Sequence, residues 1–311
     1  MPRVQPWTSR LIRGAAFLPV GLAAACSERT SPMLPAGPIA AADRLIMLDA
    51  LAIMLAIVVP TILATFAFAW WYRADNSRAT YRPDFAFSGR LELVVWSIPI
   101  LTICFLSGLI WIGSHELDPY KRLPAAPGAE PLEVEAVALD WKWLFIYPRY
   151  GVASVNQLML PIGTPVHFRI TSASVMNVFF VPRLGTQVYA MNGMATQVSL
   201  QADKQGVFYG RSAHFSGDGF PEMSFNTYAV PPARFAAWAA ATRGHGPVLT
   251  PATYPILARQ TRGTVPFNIG TVGPGLFDAL VEQTIKPSAG PKEGRGGPGV
   301  SPVGGKHPNA R

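Results

Sequence analysis

Cysteine and charge are what this sequence has least of. Its 311 residues include two cysteines, Cys26 and Cys104, which lie far apart, so a disulfide framework is excluded by count. No cysteine follows Cys104, so the rest of the chain offers no thiolate to a metal. Only 14% of the residues are charged and half are hydrophobic, which is too apolar for an ordinary soluble domain. Stability must therefore come from packing, and part of the chain is expected to lie in a membrane.

A basic surface for nucleic acid is also missing. The formal net charge is +8, but residues 1–25 carry +3 of it and residues 286–311 carry +4. Only +1 remains for residues 26–285, which cannot form a positive face along a phosphate backbone. We expect no nucleic-acid partner.

Residues 1–25 have the pattern of an export signal. Three arginines precede a short apolar core, and Ala23-Ala24-Ala25 then leads to Cys26. The run resembles a bacterial lipoprotein signal, in which the cysteine after the cut becomes the lipid-bearing N-terminus, palmitate included. It departs from that pattern because Ala23 stands where leucine is usual, with Leu22 displaced by one. The alternative is ordinary cleavage that leaves Cys26 as an inert thiol.

Two apolar runs, residues 45–72 and 91–113, are long enough to cross a hydrocarbon core of about 30 Å. Pro60 and Pro99 fall within them, and each proline is expected to kink its helix, as packed membrane helices tolerate. Trp70, Trp71 and Tyr72 form an aromatic anchor at the end of the first span. The sequence predicts a pair of transmembrane helices.

The loop between the two spans, residues 73–90, sets their expected orientation. It carries four arginines against two aspartates. Arginine-rich loops stay in the cytoplasm. Both chain ends would then be periplasmic, including a lead at residues 26–44, in a multi-pass protein of the bacterial cytoplasmic (inner) membrane.

Residues 125–230 show short β-type runs separated by turn residues. The predicted strands are residues 132–139, 141–147, 155–160, 165–171, 177–181, 197–202, 207–213 and 223–230. About a hundred residues of this kind predict a β-sandwich or a Greek-key barrel.

The C-terminal part of the chain is expected to be partly helical. Residues 233–242 are alanine-rich and follow two prolines, and a second helix is predicted near 276–283, so residues 231–285 form a small helical appendix. Residues 286–311 are dominated by glycine and proline and are expected to be disordered. The fold class is therefore membrane-anchored all-β: a two-helix hairpin, a sandwich and this appendix.

Three segments of the sandwich carry a resemblance to a known family. They are Asp140-Trp141-Lys142-Trp143-Leu144-Phe145, the stretch from Ser172 to Gly185, and the stretch from Tyr209 to Met223. With two preceding spans and a lipoprotein-like start, the chain resembles subunit II of haem-copper respiratory oxidases. The resemblance implies that the exported domain is cupredoxin-like.

In the copper-bearing branch of that family, a binuclear copper centre takes electrons from cytochrome c. Its ligands are an early histidine and a later Cys-x-Glu-x-Cys-x-x-x-His-x-x-Met run. In this sequence Met223 alone keeps its family identity, and the other positions are held by Asn177, Ser212, His214, Ser216 and Phe220. Hydroxyl groups cannot replace thiolates for copper, so the resemblance implies no metal in this chain. His167 and His214 are single histidines of the kind that usually pack or lie at the surface.

Loss of the copper ligands is typical of the quinol oxidase branch, of the cytochrome bo type. That branch implies a subunit without a redox centre in a proton-pumping complex that oxidises quinol and reduces dioxygen to water. Haems and copper would lie in catalytic subunit I, beside further small membrane subunits and lipid. Two other hypotheses are a copper-bearing cytochrome c oxidase subunit and a free-standing cupredoxin-like lipoprotein acting in assembly.

A few further residues have two interpretations each. Glu92 opens the second span, where the family places a glutamate at the entrance of a proton pathway, although a helix dipole alone favours an acid there. Trp141 and Trp143 should share one face of a strand and pack at an interface with the catalytic subunit, or belong to an electron route. Met176, Met191 and Met194 are expected to pack.

Overall fold

The structure is a computed structural model that describes residues 31–80, 82–125, 130–288 and 290. The chain divides into two compact units, one of residues 42–118 and one that combines residues 31–41 with the chain from residue 119 onward. The export signal at 1–25, Cys26 and the tail beyond residue 290 lie outside the described residues, so the predictions made for them stay predictions.

The first unit consists of two long apolar helices, α1 (Pro38–Trp71) and α2 (Gly89–Glu116), both of sufficient length and hydropathy to cross a membrane. They pack as a hairpin: a Cβ added at Gly113 would lie 2.7 Å from the Ile46 side chain. The hydroxyl of Thr61 donates to the carbonyl of Ile57 at 2.8 Å, which satisfies a polar group that lipid would leave unpaired.

Both helices extend beyond the predicted spans. Helix α1 begins at Pro38 rather than at residue 45, because proline suits the first helical turn and residues 38–41 belong to the β-rich unit, where the Ala40 N–H donates to the Leu184 carbonyl at 3.2 Å. Helix α2 runs on to Glu116, where the Leu117 N–H donates to the Gly113 carbonyl at 2.9 Å. A span read from hydropathy alone stops where the polar residues begin, although the helix continues.

The lead before α1 is attached to the β-rich unit by backbone hydrogen bonds. The Ala36 N–H donates to the Arg183 carbonyl at 2.8 Å, and the Ala36 carbonyl accepts from the Asp203 N–H at 2.8 Å. A Cβ at Gly37 would fall on the Gln201 carbonyl oxygen, so only glycine fits there. This segment is part of the domain rather than a free linker.

The β-rich unit contains two main sheets. One has the strand order β12-β3-β2-β1-β5-β8 and the other β4-β10-β9-β6-β7. Strands β1 and β5 run parallel, whereas β1 and β2 are antiparallel. The first ten strands are β1 (Leu132–Leu139), β2 (Lys142–Tyr147), β3 (Val152–Val155), β4 (Gln157–Pro161), β5 (Val166–Ser172), β6 (Asn177–Phe180), β7 (Val188–Ala190), β8 (Thr196–Leu200), β9 (Gly206–Ser212) and β10 (Ser224–Val230). The predicted sandwich is confirmed, and β3 and β7 are short strands that the sequence pattern missed.

Strand β2 and the second half of β1 are buried on both faces, so they divide the unit into two hydrophobic cores. Trp143 and Phe145 face the core between the sheets, where Phe179 and Phe225 meet them. Val137 of β1, Leu144 of β2 and the alternate residues that follow them along each strand face a second core. The C-terminal region covers this core. A strand covered on both sides needs the nearly continuous apolar sequence seen here.

The region 231–285 contains the expected helices but is not purely helical. Helices α3 (Pro232–Thr242), α4 (Tyr254–Leu257) and α5 (Leu276–Val281) alternate with strands β11 (Val248–Leu249), β12 (Phe267–Ile269) and β13 (Thr271–Val272). Strand β12 pairs with β3 and extends the six-stranded sheet. The predicted helical appendix is confirmed, and the structure adds three strands of two or three residues, which carry too little pattern to predict.

Candidate functional site

The sequence-predicted site begins with a buried pair, Asn177 and Ser212. Asn177 opens β6, Ser212 ends β9, and they are 1% and 2% exposed. The Ser212 hydroxyl donates to Asn177 Oδ1 at 3.0 Å, and Asn177 Nδ2 donates to the Val175 carbonyl at 3.1 Å. Each side chain thus satisfies the other or nearby backbone without a ligand.

Ser216 and Met223 form a second buried pair at the same end of the sandwich. The Ser216 hydroxyl lies 3.9 Å from Met223 Sδ, a weak contact that suits a thioether acceptor. The Ser212 N–H donates to the Met223 carbonyl at 3.0 Å, which joins the two pairs. We call Asn177, Ser212, Ser216 and Met223 the polar cluster.

The other two positions of the pattern lie at the rim. His214 and Phe220 are half-buried, and their rings contact aromatic neighbours rather than the polar cluster. His214 meets the ring of Tyr189 at 6.3 Å between centroids, and Phe220 meets that of Phe215 at 5.8 Å. Their carbonyls still contact the cluster: the Ser212 hydroxyl lies 3.4 Å from the His214 carbonyl, and the Met223 N–H donates to the Phe220 carbonyl at 3.0 Å. The fold therefore groups the side chains of four of the six positions.

This donor set does not suit a copper centre. It offers two hydroxyls, an amide and one thioether, whereas soft copper sites use thiolate and imidazole. His167 lies on β5, where its Nδ1 is 3.2 Å from the Ser199 hydroxyl and burial lowers its pKa. Within the described ranges, no three His, Cys, Asp or Glu side chains are grouped to hold a metal ion.

Trp141 connects the polar cluster to the rest of the domain. It occupies the turn between β1 and β2 with φ of 65°, and its Nε1–H donates to the Ser216 carbonyl at 3.0 Å. A Cβ at Gly219 would lie 2.1 Å from the indole Cδ2, so this glycine lets the loop approach the ring. Arg262 covers the ring at 5.1 Å from its centroid and pairs with Asp218 at 3.5 Å.

Trp141 and Trp143 are packing residues of the domain's own hydrophobic core. They are 2% and 0% exposed within the domain itself, which leaves little of either ring at the surface. Their place at an interface with the catalytic subunit stays a prediction. The alternation that suggested a shared face is broken at Trp141, which lies in a turn.

Other predicted residues lie apart from this cluster. Glu92 is exposed in the first turn of α2. Met176 and Met194 are 37% and 48% exposed, contrary to the packed positions expected.

Sequence reasoning missed the segment 259–264, which the structure places against the start of β2. Lys142 Nζ donates to the Arg259 carbonyl at 2.6 Å and to Thr261 Oγ1 at 2.7 Å. Asn156 Nδ2 donates to the Thr264 carbonyl at 2.9 Å. The one available signal was the apolar context of Lys142, between two tryptophans.

The fold and site together define a class: a membrane-anchored, cupredoxin-like subunit II in which every copper-ligand position except Met223 holds a residue other than the family's ligand. Residues 148–230 match the family described as cytochrome c oxidase subunit II, periplasmic domain.

Relatives extend the match to most of the chain. Ubiquinol oxidase subunit 2 of Acetobacter aceti is 45% identical over 79% of this chain and 80% of its own length. Cytochrome bo(3) ubiquinol oxidase subunit 2 of Pseudomonas aeruginosa is 44% identical over 79% and 74%. Quinol oxidase subunit 2 of Bacillus cereus is 33% identical over 77% and 83%. The chain belongs to the quinol oxidase subunit 2 family.

Proposed function

We propose that this chain is the non-redox subunit II of a proton-pumping terminal quinol oxidase. In this proposal the complex oxidises membrane quinol, reduces dioxygen to water and moves protons outward. The relatives with 41–45% identity are ubiquinol oxidase subunits, which makes ubiquinol the donor to test first.

The polar cluster is the observation that carries the proposal. Where a copper-bearing subunit needs thiolates and imidazoles, this domain has Asn177, Ser212 and Ser216, whose hydrogen bonds are made inside the protein. Without copper the domain cannot relay electrons from a soluble carrier. A membrane-dissolved quinol needs no such relay, because it can reach a catalytic subunit within the lipid.

The chain's own role in this proposal is structural. The exported domain stabilises the catalytic subunit and shapes its outer face, while haems and copper lie in that partner. The arginines of the loop at 73–90 support a cytoplasmic position for the loop and periplasmic positions for both chain ends. Lipidation of Cys26 would add a further membrane anchor. Mass spectrometry of the mature N-terminus tests this modification, and an unmodified Cys26 would contradict it.

Oxygen uptake by the complex purified from its native membrane tests the proposal. Ubiquinol should support uptake, reduced cytochrome c should not, and a haem-containing subunit should co-purify. Uptake driven by cytochrome c would favour a copper-bearing oxidase instead. Purification without any haem protein would favour a free-standing lipoprotein.

Glu92 is proposed to lie at the entrance of a proton pathway. A carboxylate in the first turn of α2 also interacts favourably with the helix dipole, which would explain Glu92 without a proton role. A matched control is therefore needed. Glu92→Ala should slow oxygen consumption severalfold, whereas Glu116→Ala, at the opposite end of the same helix, should not. Equal rates for Glu92→Ala and the wild type would remove the proton role.

A further inference from the structure

The exported domain contains a cleft that the proposed function does not use. Its volume is about 460 Å³, within the range of sites that hold small organic ligands. The walls are mostly apolar and come from β2, β12, α4 and the segments between them. The apolar wall residues include Val248, Leu249, Ile256, Leu257, Phe267 and Ile269.

One part of the lining is polar and carries a positive charge. Lys142, Thr261 and Thr264 contribute to it, and the two threonine hydroxyls lie 2.8 Å apart. The Lys142 ammonium has three N–H donors, of which two go to the Arg259 carbonyl and Thr261 Oγ1. Lys142 is 2% exposed, so only a ligand atom that enters the cleft could reach the third donor, which has no acceptor among the described contacts.

The surroundings of this ammonium favour an added negative charge. Burial lowers the pKa of Lys142 to about 8, although the nearby carboxylate of Asp140 acts in the opposite direction. Burial therefore outweighs the compensation that Asp140 provides. Lys142 is the one charged residue of the lining, and the carboxylate of Asp140 acts on it from outside the lining.

The apolar part of the cleft is open to solvent at its rim. Ile256 is 65% exposed and Val248 is 51% exposed. A ligand that covers these side chains removes apolar surface from water, at roughly 25 cal/mol per Å². The cleft thus combines a cationic hydrogen-bond donor with walls suited to an alkyl chain.

We propose that this cleft binds a medium-chain fatty-acid anion, with its carboxylate on Lys142 Nζ and its alkyl chain along Leu249, Ile256 and Phe267. The site is independent of the proposed function, since its lining consists of Lys142 on β2 and residues of the C-terminal region and includes no member of the polar cluster. Charge-assisted hydrogen bonding to the ammonium supplies the preference for a carboxylate over a neutral head group.

Photolabelling of the full chain in lipid nanodiscs tests this site without competing detergent. A diazirine-bearing dodecanoate should label peptides within residues 247–269, and unlabelled dodecanoate should suppress the labelling. Lys142→Met should lower the labelling about tenfold, the effect of one lost charge-assisted contact.

A second variant separates binding from folding, because Lys142→Met also removes two structural hydrogen bonds. Ile256→Glu adds a negative charge at an exposed wall position, which repels the carboxylate of the ligand. It should lower the labelling about as much as Lys142→Met does. Val207→Glu is the matched control, since Val207 is an exposed apolar residue on β9 outside the cleft, and it should label as the wild type does. Three results would each overturn the proposal. They are labelling only outside residues 247–269, unchanged labelling of Ile256→Glu, and competition by dodecan-1-ol that equals competition by dodecanoate.

Discussion

Two neighbouring buried regions of the exported domain differ in what holds them together. The aromatic core of Trp143, Phe145, Phe179 and Phe225 is built from stacked and edge-on rings with centroids 5.0–6.3 Å apart. The adjoining polar cluster is held by hydrogen bonds, and Phe179 and Ser212 are register partners across β6 and β9. Apolar residues can fill a core on volume alone, whereas buried polar groups must find partners.

This difference explains how a domain can lose a metal and keep its fold. Met223 is the one ligand position that packs in the same cluster as the aromatic rings, and it keeps the family's residue, so the changes at the other positions leave the packing residues of the core as they are. The polar cluster replaces metal bonds with mutual hydrogen bonds, which prevents the cost of leaving polar groups unpaired. The comparison therefore predicts that substitutions in the aromatic core lower the stability strongly. Substitutions in the polar cluster should lower it less, and their effects should be coupled.

The largest expected loss of stability comes from a substitution in the aromatic core. Phe179→Ala should lower the free energy of unfolding by about 3–5 kcal/mol, because it empties a fully buried aromatic site. Denaturant unfolding of the full chain in detergent measures it, with Val207→Ala, an exposed position, as the control. A loss below about 1 kcal/mol would mean that the core is not the main support.

A smaller effect is expected where the two regions meet at Trp141. Gly219→Ala places a methyl group against the indole and should cost about 1–3 kcal/mol through overpacking. Gly206→Ala is the matched control, since its added Cβ would meet only ordinary contacts at 3.5 Å. Equal stability of the two variants, measured by the same denaturation, would contradict the close approach to Trp141.

The polar cluster should show coupling rather than a large single loss. Ser212→Ala leaves Asn177 Oδ1 without its donor and should cost about 1–2 kcal/mol. Replacing both residues, with Asn177→Leu added, should cost less than the sum of the two single changes. A double-mutant cycle measures this, and strictly additive losses would show that the pair does not interact.

The smallest expected effect is a dependence of the folding stability on pH. It originates outside both regions, because neither contains a group that titrates near neutrality. Burial raises the pKa of Glu135 to about 7, above its ordinary 4.5, and outweighs the attraction of Arg169. The folded state then binds a proton that the unfolded state does not, so Glu135 adds stability as pH falls from about 7 toward 4.5. His167, whose pKa is lowered, acts in the opposite direction below 6.5.

Glu135→Gln isolates this contribution. Its free energy of unfolding should depend less on pH between 7.5 and 5 than that of the wild type, measured by denaturation at each pH. An unchanged slope would contradict the raised pKa.

The sequence predicted this molecule best where a repeating pattern exists. Residues 132–139 alternate clearly enough to predict β1 with its exact bounds, and hydropathy locates both helices. The start of α1 at Pro38 and the strands β11 to β13 were missed, because local pattern ends where tertiary packing decides the structure.

The site was partly predictable for a related reason. Family resemblance indicated that Asn177, Ser212, Ser216 and Met223 belong together, and the fold brings them together. It could not indicate that Arg262 covers Trp141, a contact between residues 121 positions apart in the sequence. Long-range packing of a C-terminal segment leaves no trace in either local sequence.

Copper analysis of the full chain, produced without its catalytic partner and exposed to copper, tests the central claim most directly. A control variant restores the family's ligands through Asn177→His, Ser212→Cys, His214→Glu, Ser216→Cys and Phe220→His. The wild type should hold only background copper, and the control should bind stoichiometric copper. Stoichiometric copper in the wild type would contradict the claim that this domain has no metal centre, and none in the control would contradict the assigned positions.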